Sequence, residues 1–382
     1  SHYNNQYDVI YGACIEFLRT GDRRWYILMR DLARHVIDID IYHTQDDRPA
    51  YNGGLFWHTD HYVDAATATH RTYSRVNAQQ AKGHGYGGGP SNEHNYTSGL
   101  LHYYFLTGDP LAYEAVMELA EWVLRMDEPR KGWLGLFDRR PTGLASSTVN
   151  RDYHGPGRGA GNSINALLDA YHLTKQKRFL DKTEALIRRC IHPHERIRDR
   201  GLDDVEHRWS YTVFLHVLGK YLDLKVEMHA LDRMYAYARA SLLHYAEWMA
   251  DHEVPYKHVL DRVEIPTETW PAQDIRKSNV FKFAAKYADK PAREKFWDKA
   301  EIFFRAAIED VLAFPTCRLT RPIVILLVNG YMHAFFQNNP EESAPMPAGL
   351  HQFGPPQRFT PQFHELYKIK EGLGSLLRAL SR

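Results

Sequence analysis

Two amphipathic runs, QYDVIYGACIEFLRT and RRWYILMRDLARHVID, are joined by Thr20-Gly21-Asp22, and the same hinge returns as Thr107-Gly108-Asp109-Pro110 between TSGLLHYYFL and LAYEAVMELAEWVLRM. Each residue of the hinge has a physical task. Glycine takes the left-handed conformation that closes one helix, aspartate accepts the first free N–H groups of the next, and proline fits a first turn that needs no donor. A helical hairpin that recurs along a chain constrains the fold more tightly than composition does, because each unit buries its apolar face only against its neighbours.

The pattern continues. INALLDAYHLT and RFLDKTEALIRRCI flank a Lys-Gln-Lys turn, YTVFLHVLGKYLDL precedes a long helix ending HYAEWMA, and SNVFKFAAKYA precedes AREKFWDKAEIFFRAAIEDVL with Pro291 at its first turn. The sixth pair sets IVILLVNGYMHAFF against FHELYKIKEGLGSLLRAL, the latter closing a proline-rich stretch at 337–382. No strand-like alternation competes for the core. Twelve helices in six hairpins predict one all-α domain over residues 1–382, an (α/α)6 toroid of inner and outer helices rather than an open solenoid, which wants shorter repeats and distinct caps. The first two hairpins are spaced more widely than the rest, so residues at about 42–91 read as an insertion folded over the mouth of the ring.

Polar and aromatic residues gather in the loops leading into alternate helices: Asn4, Asn5, Tyr7 and Asp8; Asn92, Glu93, His94 and Tyr96; His154, Arg158 and Asn162; Glu206, His207, Arg208, Trp209 and Tyr211; Glu268, Trp270, Asp274, Arg276 and Lys277. In a ring these loops share one mouth, while the hinges at the other end are plain caps. The insertion adds Trp57, His58, Asp60, His61 and Arg71.

Histidine and tyrosine beside arginine and asparagine are what β-elimination of a uronate needs. Arg71 or Arg158 with Asn92 would neutralise the carboxylate, His58 or His94 would take the C5 proton, with His61 a further candidate of the cluster, and Tyr96 or Tyr211 would protonate the leaving oxygen. A hydrolase would instead pair carboxylates from Asp60, Glu93, Glu268 and Asp274. Both readings stay open, as does a carbohydrate-binding subunit without catalysis. Trp57, Trp209 and Trp270 are the candidate sugar platforms, with Asn162 beside them, while Trp122, Trp248 and Trp297 sit at core spacing.

His58, Asp60, His61, His70, His84 and His94 match no zinc spacing, and the glycines at 83–89 form neither a phosphate loop nor a dinucleotide fingerprint. Neither metal nor cofactor is expected. The 48 Lys plus Arg balance 47 Asp plus Glu, so no bulk charge recruits nucleic acid, and no apolar run is long enough to span a membrane. The expected partner is a polysaccharide or oligosaccharide. Cys14, Cys190 and Cys317 are scattered and read as buried apolar side chains. Secreted, periplasmic and cytoplasmic placement all fit.

The stretches GGLFWHTDHY, ATATHRTYS, GGGPSNEHNYTSGLLHYYFLTGD and TETWPAQDIRKSN resemble the toroid domain of the exo-acting rhamnogalacturonan lyase family, over residues 4–290. The resemblance implies an (α/α)6 fold and action on an acidic polysaccharide. Members of that family carry β-sheet domains ahead of the toroid, so it also implies such domains in a longer parent chain. Related toroids include hydrolases of unsaturated uronides and sugar epimerases, so the fold by itself does not fix the reaction.

Overall fold

The structure is a computed structural model, and it describes residues 5–47, 49–56, 90–129, 133–147, 153–316, 319–339, 344–347, 349, 352–366 and 368–369. These residues are helical, with no β-strand among them and only isolated bridges joining Ile41 to Leu55 and Phe56 to Pro90. The helices of eight or more residues are α1 (Val9–Thr20), α2 (Arg23–His35), α3 (Ser98–Thr107), α4 (Pro110–Asp127), α5 (Arg158–Thr174), α6 (Lys177–Cys190), α7 (Tyr211–Glu227), α8 (Arg233–His252), α9 (Thr269–Tyr287), α10 (Lys290–Ala313), α11 (Thr320–Asn329) and α12 (Tyr331–Asn338).

The two Thr-Gly-Asp hinges form alike. Gly21 and Gly108 sit at φ 68° and 69°, and their N–H groups close the preceding helices on Phe17 O and Tyr104 O at 2.8 and 2.7 Å. Asp22 and Asp109 then accept from Arg24 N and Leu111 N at 2.9 and 3.0 Å. In both hinges the threonine hydroxyl donates back to its own helix and accepts from the aspartate N–H. Four polar groups are satisfied within three residues, which is why the motif serves twice.

Helices α1 to α10 pair as hairpins in chain order, and the odd-numbered helices contact one another in a closed cycle: α1 with α3, α3 with α5, α5 with α7, α7 with α9, α9 with α11, and α11 with α1. Buried and part-buried hydrogen bonds tie these neighbours together. Gly99 N donates to Asp8 Oδ2 at 2.9 Å, Thr97 and Ser98 donate to Asp169, Arg158 N donates to Ser210 Oγ at 3.3 Å, and Asn279 Nδ2 donates to Asn329 O at 3.1 Å. Between α4 and α6, Asp127 receives Arg189 at 2.7 Å and Lys182 at 2.6 Å. Its burial favours the neutral acid, yet Arg189 and Lys182 hold the carboxyl below its ordinary range.

A continuous apolar core runs from α4 to α12, with the rings of Phe281 and Phe303 stacked at 5.6 Å. At about 1.5–3 kcal/mol for each fully buried large side chain, this core dominates the stabilisation. Helix α9 is the exception to amphipathic design: 16 of its 19 residues are buried, including Gln273, Asp274, Arg276, Lys277, Asn279 and Lys282. Cys14 and Cys190 are free and buried, as their apolar surroundings predict, and Cys317 lies outside the described residues. Among the described residues no helix is long and apolar enough to cross a membrane.

Four details depart from the sequence reading. α2 ends in a π-helical turn, Val36–Asp40, where Ile41 N reaches back to Val36 O. The glycine-rich 154–162 segment is helical from Arg158, and the segment leading to Lys277 is helical from Thr269, with Pro271 tolerated in the first turn. The run IVILLVNGYMHAFF breaks at Gly330, because Asn329 O is taken by Asn279 and His333 N bonds Gly330 O instead. Gly330 keeps right-handed helical angles, so α11 and α12 are two halves of one kinked run; of the closing helix expected to pair with that run only residues 364–366 and 368–369 are described, and they are helical.

Candidate functional site

The odd-numbered helices and the turns before them enclose two adjoining cavities. The outer, of 630 Å³, is lined by Gln6, Tyr7, His94, Arg158, Glu206, Trp209, Thr269, Trp270, Gln273 and Arg321 among others. The inner is a chamber of 80 Å³ that draws Tyr11, Ser98, Asn165, His216, Lys220, Arg276 and Asn329 from all six odd-numbered helices, together with Tyr331. Tyr7, Arg158 and Trp209 line both, so they form the neck.

Arg158 is fixed there by its neighbours. Its Nε donates to Glu93 Oε2 at 2.9 Å, its guanidinium lies 5.6 Å from the Trp209 ring, and Asn162 Nδ2 donates to the Glu93 carbonyl at 2.7 Å. Burial opposes the Arg158 charge, but Glu93, Tyr96 and Tyr7 hold its guanidinium above its ordinary value. The His94 and Tyr96 rings meet edge-on with centroids 5.9 Å apart, His94 facing the outer cavity and Tyr96 the inner. Trp270 walls the outer cavity and anchors its Nε1 on Ile265 O at 3.0 Å.

Arg276 differs from Arg158 in that no counter-ion to it is found among the described residues. It is 8% exposed, its Nε has no hydrogen-bond partner, and the groups that act on it are Tyr7, Tyr96, Tyr256 and the like-charged Arg158. Burial pushes the guanidinium below its ordinary range, with the Tyr7 ring 5.3 Å away. Lys220 is lowered by burial too, partly offset by Asp169 and Asp8, and donates to Asn165 Oδ1 at 3.1 Å. His216 is driven well below its ordinary value, first by burial and then by Lys220 and Arg276, so its imidazole is neutral.

Comparison with protein-family models, curated proteins and solved structures yields no match. The chemistry therefore rests on this geometry.

Of the sequence candidates, Glu93, His94, Tyr96, Arg158, Asn162, Trp209 and Trp270 gather at or beside the cavities. Asn92, Tyr211, Glu268 and Asp274 line neither cavity. Asn92 donates to Leu144 O and Ser147 O at 3.0 and 2.9 Å, and the Tyr211 hydroxyl donates to Glu253 at 2.6 Å. Glu268 accepts from Thr316 at 3.0 Å. Asp274 accepts from Tyr256 N and lies 3.2 Å from Lys277; burial raises its pKa to about 7. Trp57, His58, Asp60, His61, Arg71, His70 and His84 lie outside the described residues, as does most of the expected mouth-covering insertion. Its described start packs on α4, where Trp122 Nε1 donates to Ala50 O and Arg125 to Asn52 O, both at 3.0 Å. Among the described residues no three His, Cys, Asp or Glu side chains converge as metal ligands.

Lys220, His216, Asn165 and Asp169 were not legible as site residues. The available signal was spacing: Val213, His216, Val217 and Lys220 form one stripe of α7, and Asn162, Asn165 and Asp169 one stripe of α5.

Gly159 sets the site wall. A Cβ there would stand 2.4 Å from Ser147 O and 2.7 Å from Asn92 Nδ2, so α5 approaches the 144–147 turn only because this residue has no side chain. Gly159→Ala is expected to lower stability by about 1–3 kcal/mol, read by chemical denaturation. An unchanged midpoint would show that the turn is free to move away.

Proposed function

We propose that the six hairpins form an (α/α)6 toroid and that the chain is a carbohydrate-active enzyme cleaving a uronate-containing polysaccharide by β-elimination. One observation carries this reading: Arg276, a buried guanidinium for which no counter-ion is found among the described residues, faces a polar chamber beside Arg158. Burying an uncompensated charge costs several kcal/mol, and a bound anion recovers that cost. The cyclic contacts of the odd-numbered helices support the toroid, and Trp209 and Trp270 offer the outer cavity flat apolar faces for a sugar.

In this mechanism Arg276 and Arg158 stabilise the carboxylate as charge builds on it, which acidifies the C5 proton. His94 takes that proton, the C5–H pair becomes the C4–C5 double bond, the C4–O bond breaks, and Tyr96 protonates the departing oxygen. Glu93, Glu268 and Asp274 each already hold a partner in the protein, which weighs against a hydrolytic pair drawn from them.

A panel of acidic polysaccharides read by ultraviolet absorbance and by reducing ends tests the proposal. β-Elimination gives both signals together, since the new double bond absorbs. New reducing ends without absorbance would assign a hydrolase, and affinity without either signal would assign a binding subunit.

A further inference from the structure

The inner chamber is small and its charges are unevenly used. At 80 Å³ it has about half the ~150 Å³ of an apolar cavity that takes benzene, so its size suits a substituent of a sugar better than the pyranose ring itself. The two carboxylates nearest the floor are spent within the protein. Asp8 accepts from Gly99 N, Tyr11 N and Asn5, and Asp169 accepts from Thr97, Ser98 and Asn165. On the cationic side, no ion pair to Arg276 or to Lys220 is found among the described residues. The neutral His216 and the paired Tyr11 and Tyr331 hydroxyls, 2.6 Å apart, complete the wall without adding charge.

We infer that this chamber is a free-carboxylate subsite, in which Lys220 and Arg276 hold an unesterified carboxylate of the sugar and reject its methyl ester. The identity of the sugar rests on the acidic-glycan reading, whereas the anion preference rests on the chamber alone. An ester lacks the charge that this site is built to meet: it offers nothing to the desolvated Arg276, and less than a carboxylate to Lys220, whose burial Asp169 and Asp8 offset only in part. Lys220 acts as a specificity-determining residue, because it faces the substituent on the chamber floor, away from His94 and the outer cavity.

The test uses the full chain and calorimetric titration with D-galacturonic acid, its methyl ester and galactose. The free acid is expected to bind roughly 10- to 100-fold more tightly than the ester, as a charged hydrogen bond in a desolvated site requires. Lys220→Met should shrink that gap by weakening the free acid far more than the ester, a split that a merely structural residue, which would weaken both alike, would not produce. Equal binding of acid and ester by the wild-type protein overturns the inference and needs no variant to fold. A parallel arm compares thermal stabilisation by sodium acetate, acetamide, sodium sulfate and sodium chloride at matched ionic strength. Acetate-specific stabilisation without any uronic-acid binding would keep the subsite while removing the acidic-glycan reading. Stabilisation by sulfate at lower concentration than acetate overturns the carboxylate assignment in favour of a sulfated group.

Discussion

Replacing Arg276 by methionine is expected to lower kcat/KM on an acidic polysaccharide by about 10²–10³-fold, the scale seen when one preorganised donor to a developing anion is removed. The same change should leave the fold as stable as before or stabilise it by about 1–3 kcal/mol, since it removes a buried charge that no carboxylate among the described residues balances. The Tyr7 ring recovers only about 0.5–2 kcal/mol as a cation–π partner, and methionine keeps much of the volume. Opposite signs for activity and stability mark a residue kept for its ligand. Arg276→Lys should recover part of the rate, because a point charge replaces the planar fork. Parallel kinetics and thermal melts decide the matter: full turnover in Arg276→Met, or a melting point falling in step with the rate, would make Arg276 structural.

The helical hairpins were legible because their information is local. Thr20-Gly21-Asp22 and Thr107-Gly108-Asp109 satisfy their own polar groups, so the sequence states the turn without reference to the rest of the fold. Arg158 and Trp270, beside glycine and proline, and Trp209, in the polar run Glu206 to Ser210, were found for a related reason, since they interrupt the apolar pattern. Helix α9 was harder to read. TWPAQDIRKSNVFKFAAKY has the polar content of a surface helix, yet it is buried on nearly every side, with Arg276 turned to the chamber and Lys277 to Glu253 at 2.7 Å. The Lys220 face of α7 has the same ambiguity. A helix that lines a polar cavity and one that faces bulk water carry the same amphipathic stripe, and only the closure of the odd-numbered helices into a cycle separates them. That closure is non-local, so no window of sequence contains it.

Lys282 extends this argument to stability and pH. Lys282→Met is expected to stabilise the protein by about 1–4 kcal/mol near neutral pH, against the usual direction for a core substitution. The side chain is fully buried, its Nζ donates to Ser278 Oγ at 2.8 Å and lies 4.9 Å from the Phe304 ring, and no ion pair to it is found among the described residues. Burial lowers its pKa from 10.5 to about 7, with Glu301 working weakly the other way. The unfolded chain therefore binds more protons than the native protein between those two values, and by linkage this residue makes stability rise with pH across that window. The destabilisation is complete below about pH 7 and gone above about 10.5. Ser278 is not orphaned by the change, because its hydroxyl donates to Ala300 O at 2.7 Å. Denaturant titrations at about pH 6 and about pH 10 should thus show a gain for Lys282→Met that is large at the lower pH and small at the higher. A gain equal at both values would assign it to packing against Phe304, and a loss at the lower one would mean that Lys282 has a counter-charge after all.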